Sequence, residues 1–220
     1  WAGGGIISPL YPWRYPDFIT KLAQRSQQIY PQLAEDLFNE TGIDIELKNS
    51  GFLLLDAQER IPALEWAQHY QVNMQALTES EVKTYQKNLG FNTSALWMQD
   101  VMQVRNPRLL KALIKSLKQN KVDIVENERV LKLNNKSNHI ESVSTKNKNY
   151  SAKKIIMTTG AWTSALCPST VYNITPVKGQ MLLFFAPETK LNKIVLYHNH
   201  YLIPRKDGHI LAGSTMEYHA

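Results

Sequence analysis

The stretch KKIIMTTGAWTSAL ends an apolar run at Thr158, Thr159 and Gly160 and leads through Ala161 and Trp162 into Thr163 and Ser164. A strand, a tight turn and a helix in that order leave free backbone N–H groups at a positive helix end, which suits a phosphate or the edge of a flavin. Spacing alone leaves a plain strand-to-helix connection equally open. A second feature is the start of the chain, WAGGGIISPLYP, where Gly3, Gly4 and Gly5 run straight into Ile6, Ile7, Leu10, Tyr11 and Trp13. Without Cβ atoms the three glycines let the backbone approach another object closely. A flexible linker would be polar and serine-rich instead. His198 and His200 form an H-x-H pair, which on a strand would turn both imidazoles to one face. A metal would need further ligands, and none stands nearby in the sequence, so pocket-lining or structural histidines are expected. The motifs G-x-G-x-x-G, G-x-x-x-x-G-K, G-x-S-x-G and H-E-x-x-H do not occur.

The elements that must position these residues follow from periodicity. Phe18, Leu22, Ile29, Leu33 and Leu37 recur at helical spacing between Pro16 and Thr41, Asp17 suits the helix dipole and Gly42 supplies a stop. Pro31 in the middle predicts a kink or two abutting helices. GIDIEL and GFLLLD read as strands around a KNS hairpin, residues 57–70 and 79–87 as short helices, and ALWMQDVMQV as strand. In NPRLLKALIKSLKQN, Asn106 is the expected N-cap and Pro107 the first helical residue. Four strand candidates follow (VDIVE, ERVLKL, HIESVSTK, KKIIMTTG), and the last third is strand-rich, with Asp207-Gly208 as a hairpin turn. Helices, a βα element and meandering antiparallel strands together predict a mixed α/β (α+β) fold.

Composition bounds the class. The 220 residues are 43% hydrophobic and 20% charged, as in an ordinary globular protein with a real core. One cysteine, Cys167, excludes an internal disulfide and fits a reducing, cytoplasmic compartment. No run is long enough for a membrane span. A net charge of +6 invites a nucleic-acid reading. However, Lys111, Lys115 and Lys118 form the outer face of one helix, and Lys132, Lys136, Lys146, Lys148, Lys153 and Lys154 line a polar hairpin-like region. Neither is interleaved with aromatics, so solvated surface is expected and nucleic-acid binding is not.

Five blocks, WAGGGIISPLYPWR, VRNPRLLKAL, TTGAW, ITPVKGQML and YLIPRKDGHILAGSTME, in this order and at these distances, resemble the D-amino-acid oxidase superfamily of FAD-dependent oxidoreductases. Within it they are most similar to the glycine oxidase branch of thiamine biosynthesis. The resemblance covers essentially the whole chain. It implies an FAD domain interleaved with an antiparallel-sheet substrate domain and cut at both ends, with no upstream G-x-G-x-x-G and no downstream carboxylate-clamping arginine. It divides the chain into a flavin-contacting loop and helix (1–41), a first part of the substrate domain (42–105), a part of the FAD domain (106–166) and a second part of the substrate domain (167–220).

By position, the resemblance implies that Gly3, Gly4 and Gly5 lie against the isoalloxazine ring. The backbone of Val130 would meet the adenine end of FAD, and Thr159, Gly160 and Trp162 would close over the cofactor. Tyr201 would help hold the substrate carboxylate, with His200 at the pocket mouth. The implied partners are a small amino acid or amine and molecular oxygen, with a homo-oligomer left open for the intact enzyme. The flavin carries the chemistry, so no catalytic side chain is expected. A sarcosine oxidase-like enzyme, a dehydrogenase using another acceptor and a non-enzymatic binding module are the alternatives. The chain alone is expected to be colourless and inactive.

Overall fold

A computed structural model of the chain describes residues 3–55, 57–136, 139–167 and 174–218. Trp1 and Ala2 of the WAGGG start, and residues 168–173 at the opening of the expected second substrate-domain part, lie outside the described residues. In chain order the elements are α1 (Asp17–Thr41), β1 (Lys48–Asn49), β2 (Phe52–Leu54), α2 (Arg60–His69), β3 (Met74–Leu77), α3 (Glu79–Tyr85), β4 (Ala95–Met98), β5 (Met102–Gln103) and α4 (Asn106–Gln119). Then come β6 (Lys132–Lys136), β7 (His139–Ser144), β8 (Asn149–Ser151) and α5 (Thr163–Leu166). The chain ends in β9 (Met181–Phe185), β10 (Ile194–Tyr197), β11 (His200–Pro204) and β12 (His209–Gly213). The predicted mixed α/β class is correct.

Two compact units form: Trp1–Lys121 with Gln180–Thr215, and Val122–Gly179 with Met216–Ala220. The first is built on a seven-stranded sheet of order β3-β4-β2-β10-β11-β12-β9. All pairs are antiparallel except β2 with β10, which run parallel. Its central strands are unbroken apolar runs because both faces are covered. Phe52, Leu54, Leu96, Met98, Ile194 and Leu196 point to one side with Tyr11 and Ala63. Leu53, Leu55, Ala95, Trp97 and Val195 point to the other with Leu77 and Val82. A third cluster joins α1 and α4, where Leu37, Ile45, Val104 and Ala112 meet Tyr30, Leu33, Leu109 and Leu113.

Three local expectations need correction. GIDIEL and GFLLLD do not form a hairpin: GIDIEL is not a strand, β1 lies in the KNS that follows it and pairs with β5, and β2 in GFLLLD pairs with β4 and β10. Gly51, at φ 60°, turns the chain between the two sheets. Of the two outcomes expected at Pro31, abutting helices do not form: α1 runs as one helix from Asp17 to Thr41 with Pro31 inside it and ends at Gly42 in the left-handed conformation. Of its apolar residues Leu37 is buried and Leu33 packs, but Phe18 and Leu22 are both 67% exposed. Asn106 is not an N-cap: it is the first helical residue, Arg105 precedes the helix, and no side chain caps it.

The second unit holds a three-stranded antiparallel sheet, β6-β7-β8. Here VDIVE and KKIIM are not strands, and ERVLKL contributes only its end to β6. A strand exists only when a neighbour accepts its ladder, and among the described residues neither segment has one.

Candidate functional site

The glycines at residues 3–5 lie in the first unit, pressed onto the sheet and onto the start of α4. Their carbonyls are all engaged. Asn106 Nδ2 donates to Gly3 O at 2.8 Å, Arg205 Nη2 to Gly4 O at 2.8 Å, and the Val104 N–H to Gly5 O at 2.8 Å. A Cβ on Gly4 would come 3.0 Å from Ile203 Cδ1 and from the Tyr201 ring, and one on Gly5 would meet Val104 O at 2.1 Å. Gly5 also sits at φ 75°. The chain's own packing therefore requires glycine here.

This loop lines a cavity of about 580 Å³ together with Ile6, Ile7, Pro9, Leu10, Tyr30, Asn106, Tyr201 and Ser214. β11 explains how Tyr201 reaches it. Alternation along the strand puts Tyr201, Ile203 and, just past its end, Arg205 on the face that meets Gly4. Tyr201 is buried, and its hydroxyl donates to Met181 Sδ at 3.2 Å. His200 points the other way, exposed, into a smaller cavity of about 300 Å³ that Tyr201 also borders, with Gln180, Leu182 and Thr215. His198 lies in the two-residue turn before β11, with φ 46°, followed by Asn199 at φ 67°. The expected strand-borne H-x-H face does not form. Among the described residues no group of three or more His, Cys, Asp and Glu side chains could hold a metal ion.

In the second unit, Val130, Thr159 and Trp162 come together around a cavity of about 650 Å³ with Arg129, Leu131, Thr158, Ala165 and Leu166. Gly160, at φ 52°, begins a short 3-10 turn (Gly160–Trp162) that carries Trp162. The expected strand–turn–helix is reduced to this turn and the four-residue α5, and Trp162 is 71% exposed. Thr159 and Thr163 hydroxyls pair at 2.9 Å and fix the turn.

Charge gathers beside the glycine loop of the first unit. Arg105 bonds Asp207 at 2.8 Å and Glu46 at 3.3 Å, and His209 Nδ1 lies 3.0 Å from Asp207. The Asp207 carboxyl is lowered to about 2: burial would raise it, but hydrogen bonds from Arg105 and His209 outweigh that. The bond to Asp207 raises Arg105 further above its ordinary value. Burial, then the nearby charge of Arg105, pushes Arg205 down, yet a guanidinium remains a cation.

Sequence reasoning missed three groups: Asn106 as the partner of Gly3, and Arg205 with Gln103. A signal for Arg205 was available. It follows Tyr201 and Ile203 at two-residue steps on a strand face that packs inward.

A mostly apolar lining, a stretch of glycine backbone and a few polar groups (Asn106, Tyr201, Ser214) suit a planar ring cofactor, so the residues present fit a flavin. Residues 1–220 match the FAD dependent oxidoreductase (DAO) family, and the chain belongs to it. The glycine oxidase of Pseudomonas putida is 40% identical over 222 residues, 99% of this chain, and that of Pseudomonas aeruginosa is 37% identical over the same share. The chain spans 61% of the length of each. The crystal structure of glycine oxidase from Bacillus cereus superposes with a TM-score of 0.88 at 25% identity, over 100% of this chain and 61% of that one. No helix among the described residues is long and apolar enough to cross a membrane.

Proposed function

We propose that the chain belongs to an FAD-dependent oxidase of glycine or another small amino acid or amine, acting in the cytoplasm and in thiamine biosynthesis. What supports this reading is the cavity of about 580 Å³ that the backbone of Gly3, Gly4 and Gly5 lines together with apolar side chains and Tyr201. When bound, FAD supplies the acceptor for hydride from the substrate Cα, with oxygen as the final oxidant, an imine as product and hydrogen peroxide released. In this reading Gly3, Gly4 and Gly5 present bare backbone to the ring, and Ile6, Ile7 and Leu10 exclude water from its surroundings. The backbone of Val130 would meet the adenine end, and Thr159, Gly160 and Trp162 would close over the cofactor. His200 does not line the glycine-lined cavity; in this reading it stands at the mouth of the smaller cavity that Tyr201 also borders.

Tyr201 orients the substrate. Its hydroxyl is bonded to a thioether, a weak acceptor, and gains by turning to a carboxylate oxygen instead. Orientation of this kind is what a protein contributes when the cofactor performs the chemistry.

The test is to purify the full-length protein, measure its bound flavin, and follow oxygen uptake and peroxide with glycine, sarcosine and D-alanine. A yellow protein that yields peroxide from one of these is expected. Tyr201→Phe should raise KM about tenfold with a smaller change in kcat, as for loss of one charge-assisted hydrogen bond. Absence of flavin, or of turnover with any amino acid or amine, would overturn the reading. The 220-residue chain on its own is expected to be colourless and inactive.

A further inference from the structure

We propose that Arg205 is the positioning residue of the glycine loop, fixing the height of the Gly4 backbone above β11 and with it the wall of the larger cavity. Three bonds define the clamp. Arg205 Nη2 donates to Gly4 O at 2.8 Å, while Nη1 donates to Gln103 Oε1 at 2.7 Å and to Val104 O at 3.2 Å. The clamp is itself held from behind. Gln103 Nε2 donates to Ser50 Oγ at 2.6 Å, which aims the amide oxygen at the guanidinium, and Gln103 and Ser50 are both 2% exposed. A polar relay thus runs from Ser50, next to Gly51, through Gln103 and Arg205 to the loop.

A role in stability alone accounts poorly for this geometry. The acids nearest the clamp, Glu46 and Asp207, are held by Arg105, and Arg205 spends its donors on neutral oxygens. A partly buried cation without a bonded carboxylate is a costly way to add stability. It is an effective way to hold two carbonyls and an amide in one plane, because the guanidinium fork is rigid and its donors diverge. The two sides of Gly4 are then set by different groups: Arg205 takes its carbonyl, and Tyr201 and Ile203 stop its Cα from sinking further. A lysine, with one compact ammonium, cannot span the same three acceptors. That this wall faces a flavin rests on the function proposed above; that Arg205 holds it does not.

The experiment compares wild type, Arg205→Lys, Arg205→Met and Gln103→Met in the full-length protein, with and without added FAD. Amide hydrogen exchange reads the loop directly. Faster exchange by tenfold or more over residues 4–7 and at Val104 in Arg205→Lys and Arg205→Met, with a smaller change in Gln103→Met and none over β6 to β8, is expected. With FAD added, the visible circular dichroism of the bound flavin should change and its Kd rise about tenfold in Arg205→Lys, while the melting temperature stays near that of wild type. Exchange at residues 4–7 unchanged in Arg205→Lys would overturn the proposal, as would a lower melting temperature with flavin spectrum and affinity intact. Should Arg205→Met not fold, the lysine and Gln103 variants decide. A wild-type protein that binds no flavin would refute the proposed function, while the exchange data would still judge Arg205.

Discussion

The ring of Trp97 occupies the place of the side chain that Gly51 lacks: a Cβ at residue 51 would lie 1.8 Å from Cη2 of the indole. Gly51 also sits at φ 60°, where an L side chain is strained in any case. Around this contact β2 enters the seven-stranded sheet and Ser50 begins the polar relay to Arg205. Gly51→Ala should therefore cost about 2–4 kcal/mol, the sum of overpacking and a left-handed backbone. Urea denaturation of the two proteins measures it, and a loss below 1 kcal/mol would contradict the contact.

Asn106 offers a test that separates two roles by sign. If it served the helix, Asn106→Asp would gain from the dipole at the start of α4. Because its amide instead donates to Gly3 O, aspartate places an acceptor against an acceptor. A loss of about 1 kcal/mol is expected for Asn106→Asp, close to that of Asn106→Ala, with faster amide exchange around Gly4.

Asp207 makes stability depend on acid. Its folded carboxyl lies at about 2 against an ordinary 3.8, so the contribution is present above pH 4 and is lost as pH falls through the folded value. The side chain is 40% exposed, so solvent screening reduces the effect to about 1 kcal/mol. Urea midpoints measured from pH 6 down to about pH 2 should fall more steeply for wild type than for Asp207→Asn. Parallel curves would show that Arg105 and His209 do not hold the carboxylate.

The terminal strand of the large sheet is apolar on both sides. Leu182, Leu183, Phe184 and Phe185 of β9 are each about half exposed or more, as are Val125 and Ile156 of the other unit. An open edge with this character pairs readily with other chains. The 220-residue chain should self-associate at micromolar concentration, and Leu183→Lys should reduce this. Light scattering across a dilution series checks it, and a sharp monomer for the unmodified chain would refute it.

Much of the molecule was legible because it is local. The 3.6-residue period of α1 and α4, the stop at Gly42, the turn at Asp207-Gly208 and the motif blocks that mark an FAD-dependent oxidoreductase all lie within short windows, where spacing carries the physics. The grouping of Val130, Thr159 and Trp162 around one cavity, and of Gly3, Gly4, Gly5 and Tyr201 around another, follows residues singled out in the sequence. Partnership across the chain is different. That β2 would pair in parallel with β10, that VDIVE and KKIIM would find no strand to join among the described residues, and that the Asn106 amide would bond Gly3 rather than cap its helix all depend on which groups arrive opposite them. A hydrogen bond or a strand needs two partners, and sequence shows one at a time. Arg205 shows the limit most plainly: the sequence determined an arginine at the end of an inward-facing strand, and only the tertiary structure put Gly4, more than 200 residues earlier in the chain, within reach of its guanidinium.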